Sequence, residues 1–428
     1  MENSAGRRLN TLIRHLLLKY EDAAQVLHPV GLSGERLKHV KSEPVIIGGM
    51  VLDIHAYPSI PSIPRTTTPG KVYYVVGGVA RNVAECMSKL GTKPFMISAI
   101  GPDMAGNLLL EYWESVGLST EGILKGQGIE TPVVCNVFDP NGELAAAVAS
   151  VEAIEKFLTK EWIQQFTGNI RSAPMLMVDA NLSVWSLEAS CQIAAQSGVP
   201  VWFEPVSVAK SKRVASIIEY VTFTSPNEDE LIAMANAVST EDLFSPIQRV
   251  DNDGSTESIE SLLLLLKPAI WVLLQKGVKL VVVTLGSDGV FLCSKGGAEF
   301  TNVDLKNTEP SHFGRQLSEM VTLNRQNQFV RSEKANNSSS HLSVVHFPAL
   351  PSSVVRLTGA GDCLVGGTLA SLCAGLDMMQ SMAVGIATAK SAVEIEKNVP
   401  SEFCVAALAD DAKRVYSSAR VVYDQSVV

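Results

Sequence analysis

The sequence predicts an α/β fold, and three observations support this prediction. Short apolar segments with strand character alternate with helical segments from residue 44 to near the end of the chain. Apolar residues make up 46% of the 428 residues and charged residues only 18%, as expected of a chain with a large core. A glycine-rich stretch at residues 358–362 follows a short apolar segment and precedes a run of small and apolar residues, a layout typical of a loop that leads into a helix.

The composition excludes several classes of function. The formal net charge is -9, so no general basic surface for nucleic acid or membranes is expected. No apolar run reaches the roughly 20 residues that a membrane span needs. The seven cysteines are scattered and form no CxxC pair, which favours reduced thiols in an intracellular protein. The histidines show no spacing typical of metal ligands.

Residues 1–43 are predicted to be a targeting leader and linker. Arg8-Leu9 and His15-Leu16 are separated by five residues, which resembles the type 2 peroxisomal targeting signal. This resemblance implies a peroxisomal import receptor as a partner and the peroxisome as the location, with the cytoplasm as the alternative. An amphipathic helix or a mitochondrial presequence would also account for the leucines and arginines, although acidic residues weaken the mitochondrial interpretation.

The predicted catalytic domain covers residues 44–425. Its first half begins with a buried strand at residues 45–47 that ends at Gly48-Gly49. A strand at residues 72–76 leads into a helix that runs to Leu90, where Gly91 gives a stop signal. The next strand covers residues 94–100. Two strands at 131–137 and 144–151 flank Asp139-Pro140-Asn141-Gly142, which is a hairpin signal.

The second half continues the alternation. The expected elements are a helix over 157–170, a strand at 175–179, a helix at 187–197, a strand at 199–203, a strand–turn–strand unit at 281–292 and a helix at 382–395. Residues 294–342 are polar and contain an Asn-Ser run, so a long mobile insertion is predicted there.

The stretch Thr358-Gly359-Ala360-Gly361-Asp362 carries the most chemistry. If a helix begins here, the backbone N–H groups of Gly359, Ala360 and Gly361 point outward at the positive end of the helix and can hold negative charge. Asp362 is a carboxylate beside this anion hole, where it can accept a proton from a hydroxyl. These are the minimum requirements for phosphoryl transfer to an alcohol. The alternative is an ordinary glycine turn with Asp362 as a helix cap.

This stretch, followed by Gly366-Gly367, resembles the C-terminal signature of the PfkB carbohydrate kinases, the ribokinase-like family. Four further segments resemble the family in the expected order: Asp53 after the first strand, Gly77-Gly78 with Asn82, Asn227 with Glu230, and Thr284 to Gly289. The resemblance covers about residues 44–425. It implies a ribokinase-like three-layer α/β/α sandwich with a small β-sheet lid whose strands lie within about residues 54–76 and 131–151.

The resemblance also implies roles for individual residues. It places Asp53, Gly77, Gly78 and Asn82 at the substrate. It places ATP at a second group, which comprises Asn227, Thr284, Gly286, Gly289 and Asn398. Glu230 would hold Mg²⁺ through water, although the Asn227–Glu230 spacing is also typical of a helix cap. Because Arg356 stands where the family has an aspartate, a monovalent-cation requirement is doubtful. No GxxxxGK[ST] motif occurs, so the chain is not a P-loop enzyme.

The expected substrate is a small-molecule nucleoside or sugar. Residues 139–143, 203–207 and 225–227 resemble the pseudouridine kinases of the family, particularly those of plants. Ribose, another nucleoside or a ketohexose is an alternative acceptor within the family. A catalytically silent regulator that binds a sugar or nucleotide is the alternative from another class. A homodimer through the lid is a further expected partner interaction.

Overall fold

The computed structural model describes residues 42–63, 65–140, 144–239, 243–247, 258–296, 305, 311–322 and 341–426. Residues 42–428 form one compact unit. Almost all of the predicted leader lies outside the described residues, as do most of the predicted insertion at 294–342 and Asn141, Gly142 and Glu143 of the predicted hairpin.

A large sheet forms the middle of the fold. Its strands follow the order β14-β13-β12-β11-β10-β9-β8-β1-β4-β5, parallel from β11 to β5 and antiparallel from β11 to β14. The strands are β1 (Val45–Ile47), β4 (Phe95–Ile100), β5 (Ile123–Lys125), β8 (Leu176–Asp179), β9 (Val201–Glu204), β10 (Phe223–Thr224), β11 (Leu280–Thr284), β12 (Val290–Lys295), β13 (His341–Phe347) and β14 (Arg420–Ser426).

A second sheet of four strands projects from the large one. It comprises β2 (Val51–Pro58), β3 (Gly70–Gly77), β6 (Val133–Phe138) and β7 (Leu144–Ser150), in the order β3-β2-β6-β7. Strand β2 pairs antiparallel with β3 and parallel with β6, and β6 pairs antiparallel with β7. The segments that the sequence predicts as lid strands lie in this sheet.

Thirteen α-helices are described. They are α1 (Val79–Lys89), α2 (Met104–Ser115), α3 (Glu152–Phe157), α4 (Lys160–Gln164), α5 (Thr167–Ser172), α6 (Val184–Gln196), α7 (Val208–Ser211), α8 (Glu228–Val238), α9 (Ile259–Gln275), α10 (His312–Thr322), α11 (Ala360–Cys373), α12 (Met378–Val393) and α13 (Val405–Ser418). Among these described helices, none combines the length and apolarity needed to cross a bilayer.

Two hydrophobic cores cover the two faces of the large sheet. Ile46 and Trp202 point into one core with α1, α11, α12 and α13. Val45 and Phe203, their neighbours along the strands, point into the other core with α6, α8 and α9. Because successive strand residues point to opposite faces, strands buried on both sides are apolar throughout. This confirms the predicted three-layer α/β/α sandwich.

Two elements differ from the sequence-based expectation. The predicted helix over 157–170 is divided into α3, α4 and α5, because Thr159 accepts a hydrogen bond from the Trp162 N–H and caps a new helix. Within the predicted insertion, α10 is an ordered helix whose Leu317 and Val321 lie in the core. Their four-residue spacing is that of one helix face, a signal that the polar composition of the segment hides.

Candidate active site

The glycine-rich loop leads directly into α11, as the sequence predicts. Gly359 has φ of 88° and precedes the first helical residue, Ala360. A Cβ at Gly359 would lie 2.3 Å from the carbonyl oxygen of Asn398, so both the left-handed backbone and the close packing require glycine. The Ala360 N–H donates to the Leu357 carbonyl at 3.2 Å, whereas Gly361 lines a cavity. The positive end of α11 therefore faces this cavity through Gly361 and Asp362.

Asp362 is held by a residue from the opposite end of the chain. The amide Nδ2 of Asn82, on α1, donates to Asp362 Oδ2 at 2.5 Å. Burial raises the pKa of Asp362 to about 6, while the Asn82 hydrogen bond and the charge of Arg81 oppose this rise. A carboxyl with a pKa near neutrality can take a proton from an alcohol and later release it. The structure thus brings two residues with predicted roles together.

A cavity of about 170 Å³ opens beside Asp362. The side chains and backbone that line it come from the C-terminal ends of the central strands and from the N-termini of three helices, α1, α8 and α11. The lining residues are Val79, Glu204, Val206, Ser225, Asn227, Glu230, Thr284, Gly361, Asp362 and Val365. Five of the residues with predicted catalytic, ATP or Mg²⁺ roles therefore share one cavity, at the sheet edge where open α/β sheets bind ligands.

Asn227 and Glu230 form a complete capping box at the start of α8. The Glu230 N–H donates to Asn227 Oδ1 at 2.9 Å, and the Asn227 N–H donates to Glu230 Oε2 at 2.9 Å. The Thr284 N–H donates to the Pro226 carbonyl at 3.0 Å and fixes Thr284 next to this cap. Burial raises the pKa of Glu230. Both interpretations of the Asn–Glu spacing therefore describe the same residues, which cap a helix and line the cavity.

Sequence reasoning did not identify Glu204 and Ser225 as site residues. Glu204 is the last residue of β9, and its carboxylate accepts a hydrogen bond from the Ser225 hydroxyl. Trp202 in turn donates its indole N–H to Ser225 at 2.8 Å. Burial, opposed by the Ser225 hydrogen bond, raises the pKa of Glu204 well above its ordinary value. A polar residue at the carboxyl end of a buried strand is the signal that could have found it.

The predicted substrate residues lie where the lid sheet joins the body. Asp53 on β2 faces Gly77, where an added Cβ would lie 2.2 Å from the Asp53 carboxylate. The Gly78 position is equally close, because its Cβ would lie 2.4 Å from the Gly49 carbonyl oxygen. Close packing therefore explains both glycines, Gly77 against Asp53 and Gly78 against the Gly49 backbone, and a role in substrate approach stays a prediction. Burial raises the pKa of Asp53.

Asn398 lies in a different place from the one predicted. Its amide donates to Asp53 Oδ2 at 3.4 Å and to the Val76 carbonyl at 3.2 Å. Both hydrogen bonds use the amide nitrogen, and Oδ1 has no hydrogen-bond partner among the described residues, so an adenine contact through this oxygen stays a prediction. The structure therefore groups Asn398 with Asp53 and the lid rather than with Thr284. The sequence suggested the loop but could not give the direction of its side chain.

The two glycines with predicted ATP roles differ in their surroundings. Gly286 has φ of 62° and open space beside it, so a ligand could approach its backbone. Gly289 has φ of 95°, and its Cβ would lie 2.1 Å from the Phe347 carbonyl oxygen. Packing against β13 is therefore sufficient to explain Gly289.

The donor atoms around the cavity suit a hydrated magnesium ion. Glu204 and Glu230 contribute carboxyl oxygens, and Ser225 and Thr284 contribute hydroxyls. Among the described residues, no three carboxylate, histidine or cysteine side chains converge as direct ligands of a metal ion. Mg²⁺ usually keeps several waters and is held together with phosphate groups, so separated carboxylates fit this ion.

Comparisons with known proteins identify the family and agree with the fold. The model of the pfkB family carbohydrate kinases matches residues 42–307. The chain is 54% identical to a pseudouridine kinase of Arabidopsis thaliana over 89% of this chain and 98% of the relative. It is 27% identical to a pseudouridine kinase of Escherichia coli over 61% of this chain and 76% of the relative. The structure of Arabidopsis thaliana ribokinase complexed with ribose and ATP superposes with a TM-score of 0.63 and 18% identity, covering 87% of this chain and 99% of the ribokinase.

Proposed function

This chain belongs to the pfkB family of carbohydrate kinases, and we propose that it transfers the γ-phosphate of ATP to the 5′-hydroxyl of pseudouridine. The products are pseudouridine 5′-phosphate and ADP. The reaction type is supported mainly by Asp362. Its carboxylate lies at the N-terminus of α11, lines the cavity and accepts a hydrogen bond from Asn82 on α1. The identity to the Arabidopsis relative over nearly its whole length supports the choice of acceptor.

In the proposed reaction, Asp362 accepts the proton of the 5′-hydroxyl as that oxygen attacks the γ-phosphorus. The backbone N–H groups at the start of α11 face the charge that builds up on the transferred phosphoryl group. Asn227, Glu230 and Thr284, which line the same cavity, would hold Mg²⁺ with its waters and the ATP phosphates. When bound, Mg²⁺ neutralises phosphate charge. The protein contributes orientation and electrostatic stabilisation, which carry most of the rate in phosphoryl transfer.

We place the base of the nucleoside along one face of the lid. Asp53, His55 and Tyr57 alternate on β2 and so point to the same face. Tyr57 stacks on Phe138 with 4.5 Å between ring centroids. Asn136 lies opposite His55 in the β2–β6 register and brings an amide to this face. If Asp53 and Asn82 hold the ribose, these aromatic and amide groups are the ones a base would meet.

Pseudouridine has one ring N–H more than uridine. An acceptor on the lid that pairs with this group would be left unpaired by uridine, which costs roughly 1–3 kcal/mol, or about a tenfold to hundredfold preference. A competition assay with both nucleosides at equal concentration, read by the phosphorylated products, tests the proposal. We expect pseudouridine to dominate. Equal rates, or a preference for free ribose or fructose, would overturn the acceptor but keep the kinase; no ADP release with any acceptor would favour a silent regulator.

We also propose that the leader directs the chain to the peroxisome through an import receptor. The support is the pattern of Arg8-Leu9 and His15-Leu16, which lies outside the described residues. A fluorescent fusion of the full chain should enter peroxisomes, and a fusion that lacks residues 1–42 should stay in the cytoplasm. Import of the truncated chain would refute this signal.

A homodimer through the lid is proposed on the basis of the other face of that sheet. Val72, Tyr74 and Val148 are exposed by 58%, 56% and 73%. Tyr74 and Val148 point to one face, because each lies in register with a residue of the Ile54–Cys135 pair. Light scattering should give a dimer for the natural chain and a monomer for Val148→Asp. A dimer that survives this substitution would place the interface elsewhere.

A further inference from the structure

We propose that Arg81 is a positioning residue for the catalytic base. It fixes the orientation of the Asn82 amide, and through it the Asp362 carboxylate, and it ties both to the end of lid strand β3. This inference rests on the proposed role of Asp362 in phosphoryl transfer. The sequence gives no direction for the Arg81 side chain, so only the structure brings these groups together.

Arg81 lies at the centre of a buried network. Only 1% of its surface is exposed, although arginine is rarely buried so completely without a specific partner. Its Nη1 forms an ion pair with Glu85, one turn further along α1 and equally buried. Its Nη2 donates to the Val76 carbonyl at 2.9 Å and to Asn82 Oδ1. Glu85 also accepts the hydroxyl of Tyr112 on α2, so two helices hold the guanidinium.

The contact with Asn82 determines which end of that amide faces the base. Because Asn82 Oδ1 accepts from Arg81, its Nδ2 is directed at Asp362, to which it donates at 2.5 Å. A flipped amide would place its oxygen against the carboxylate and its N–H groups against the guanidinium, and both contacts would be repulsive. Arg81 thus ensures that Asp362 receives a hydrogen bond, which favours the ionised form that a general base needs.

Arg81 also connects this arrangement with the lid. The Val76 carbonyl, near the end of β3, accepts from both Arg81 Nη2 and Asn398 Nδ2. Asn398 donates to Asp53 as well, on the neighbouring lid strand. A displacement of this end of the lid would therefore move Arg81, which contacts Asn82, and Asn398, which contacts Asp53. Among the described residues, Arg81 Nε is one of a few buried side-chain atoms without a hydrogen-bond partner, as is Asn398 Oδ1.

The charges around Asp362 determine the direction of the test. The positive charge of Arg81 lowers the pKa of Asp362, whereas the carboxyls of Asp53 and Asp179 raise it. Glu204 and Glu230 share the cavity, and the Cys363 thiol is adjacent in sequence. Glu85 partly cancels the charge of Arg81 through their ion pair. Removing Arg81 and removing the charge of Glu85 should therefore shift the titration of Asp362 in opposite directions.

The experiment compares Arg81→Met with Glu85→Gln in the full chain. Glutamine has the shape of glutamate and keeps one acceptor oxygen for Arg81, while its NH2 group can donate to the Tyr112 hydroxyl oxygen. Glu85→Gln is therefore the milder of the two changes. The titration of Asp362 is followed by ¹³C NMR with aspartate labelled at the carboxyl, and Asp362→Asn identifies the signal. The acid limb of kcat/KM, measured by ADP release, reports the titration of the free protein independently whenever the chain turns over an acceptor.

We expect Arg81→Met to raise the pH at which Asp362 titrates and Glu85→Gln to lower it. Arg81→Lys keeps the charge but loses the fork that fixes Asn82, so its kcat should fall on the order of 100-fold. The pH at which Asp362 titrates should rise in this variant too, but less than in Arg81→Met, because only the Asn82 hydrogen bond is weakened. Tyr112→Phe is the control, because it removes a hydrogen bond to Glu85 but leaves the Arg81 charge and the Arg81–Asn82 contact in place; it should shift the titration much less than Arg81→Met.

A purely structural role for Arg81 would lower the unfolding temperature of the variants without moving the titration. If Arg81→Met fails to fold, the downward shift in Glu85→Gln decides the question alone, and its absence overturns the proposal. Because the NMR signal needs no turnover, a chain that phosphorylates no acceptor would refute the proposed function while the effect of Arg81 on Asp362 is still measured.

Discussion

Replacing Asp362 with asparagine should nearly abolish turnover while leaving the fold intact. The amide cannot take the proton of the acceptor hydroxyl, and loss of a general base costs typically ~10²–10⁴-fold, or about 3–5 kcal/mol of transition-state stabilisation. The asparagine oxygen can still accept from Asn82 Nδ2, which now donates to Asp362 at 2.5 Å. ATP binding should therefore stay close to normal.

The same substitution should not lower stability. Burial raises the pKa of Asp362 to about 6 in the folded chain, above its usual value. A carboxyl with a raised folded-state pKa stabilises the fold at low pH, and this contribution is lost as the pH rises and the group ionises. A neutral amide avoids that loss, so at pH 8 the free energy of unfolding of Asp362→Asn should equal or exceed that of the natural chain.

The assay is kcat from ADP release at saturating ATP and acceptor, with ATP affinity measured by calorimetry and stability by denaturant titration. Asp410→Asn is the matched control, because Asp410 is an exposed carboxylate on α13. It should change none of the three quantities. An Asp362→Asn variant that keeps more than half of the natural kcat would remove Asp362 from the mechanism, whatever its stability.

Three further predictions follow from the geometry. The kcat/KM should be half-maximal near pH 6 and fall at lower pH, because burial raises the pKa of Asp362 in the free protein to about 6; a flat profile down to pH 5 would contradict this. Gly359→Ala should lower the free energy of unfolding by about 1–2 kcal/mol or more, because φ is 88° there, while Gly361→Ala, with open space beside it, should change stability little in a denaturant titration. Arg356→Leu should raise the KM of the acceptor more than it changes kcat, because Arg356 Nη2 contacts Nε2 of His55 on the lid at 3.0 Å and so holds the lid near the body. An unchanged KM would show that this contact does not position the lid for the acceptor.

The fold was predictable from the sequence to the extent that its signals are local. Apolar runs, glycine stops and helix caps lie within a few residues of one another, so strands such as β8 and β11 were predicted almost to their ends. The break between α3 and α4 depends on one capping threonine, Thr159, within a helical pattern, and the pattern alone does not show it. The large sheet and the second sheet follow from the alternation and from the family resemblance together.

The candidate site was predictable as a set of residue types but not as a set of contacts. Asp362 and Asn82 are 280 residues apart, and their hydrogen bond follows only from the packing of α1 against α11. The position of Asn398 at Asp53, rather than at the ATP side, depends on the path of the loop after α12. Glu204 lies in a segment of family resemblance at the end of a predicted strand, but its contact with Ser225 depends on the placement of β9 beside β10.

Helix caps and site residues coincide in this cavity for a physical reason. Parallel strands bring the starts of the following helices to one edge, and each helix start has unpaired N–H groups that need acceptors. At α8 the acceptors are Asn227 Oδ1 and Glu230 Oε2, which fix both side chains at the edge of the cavity. At α11 the start is Gly359, with no side-chain cap, so the first turn keeps its positive end directed at the cavity. One helix start therefore presents fixed carboxyl and amide groups to the cavity, and the other presents backbone donors, which is a combination that suits the proposed binding of a metal-bound triphosphate.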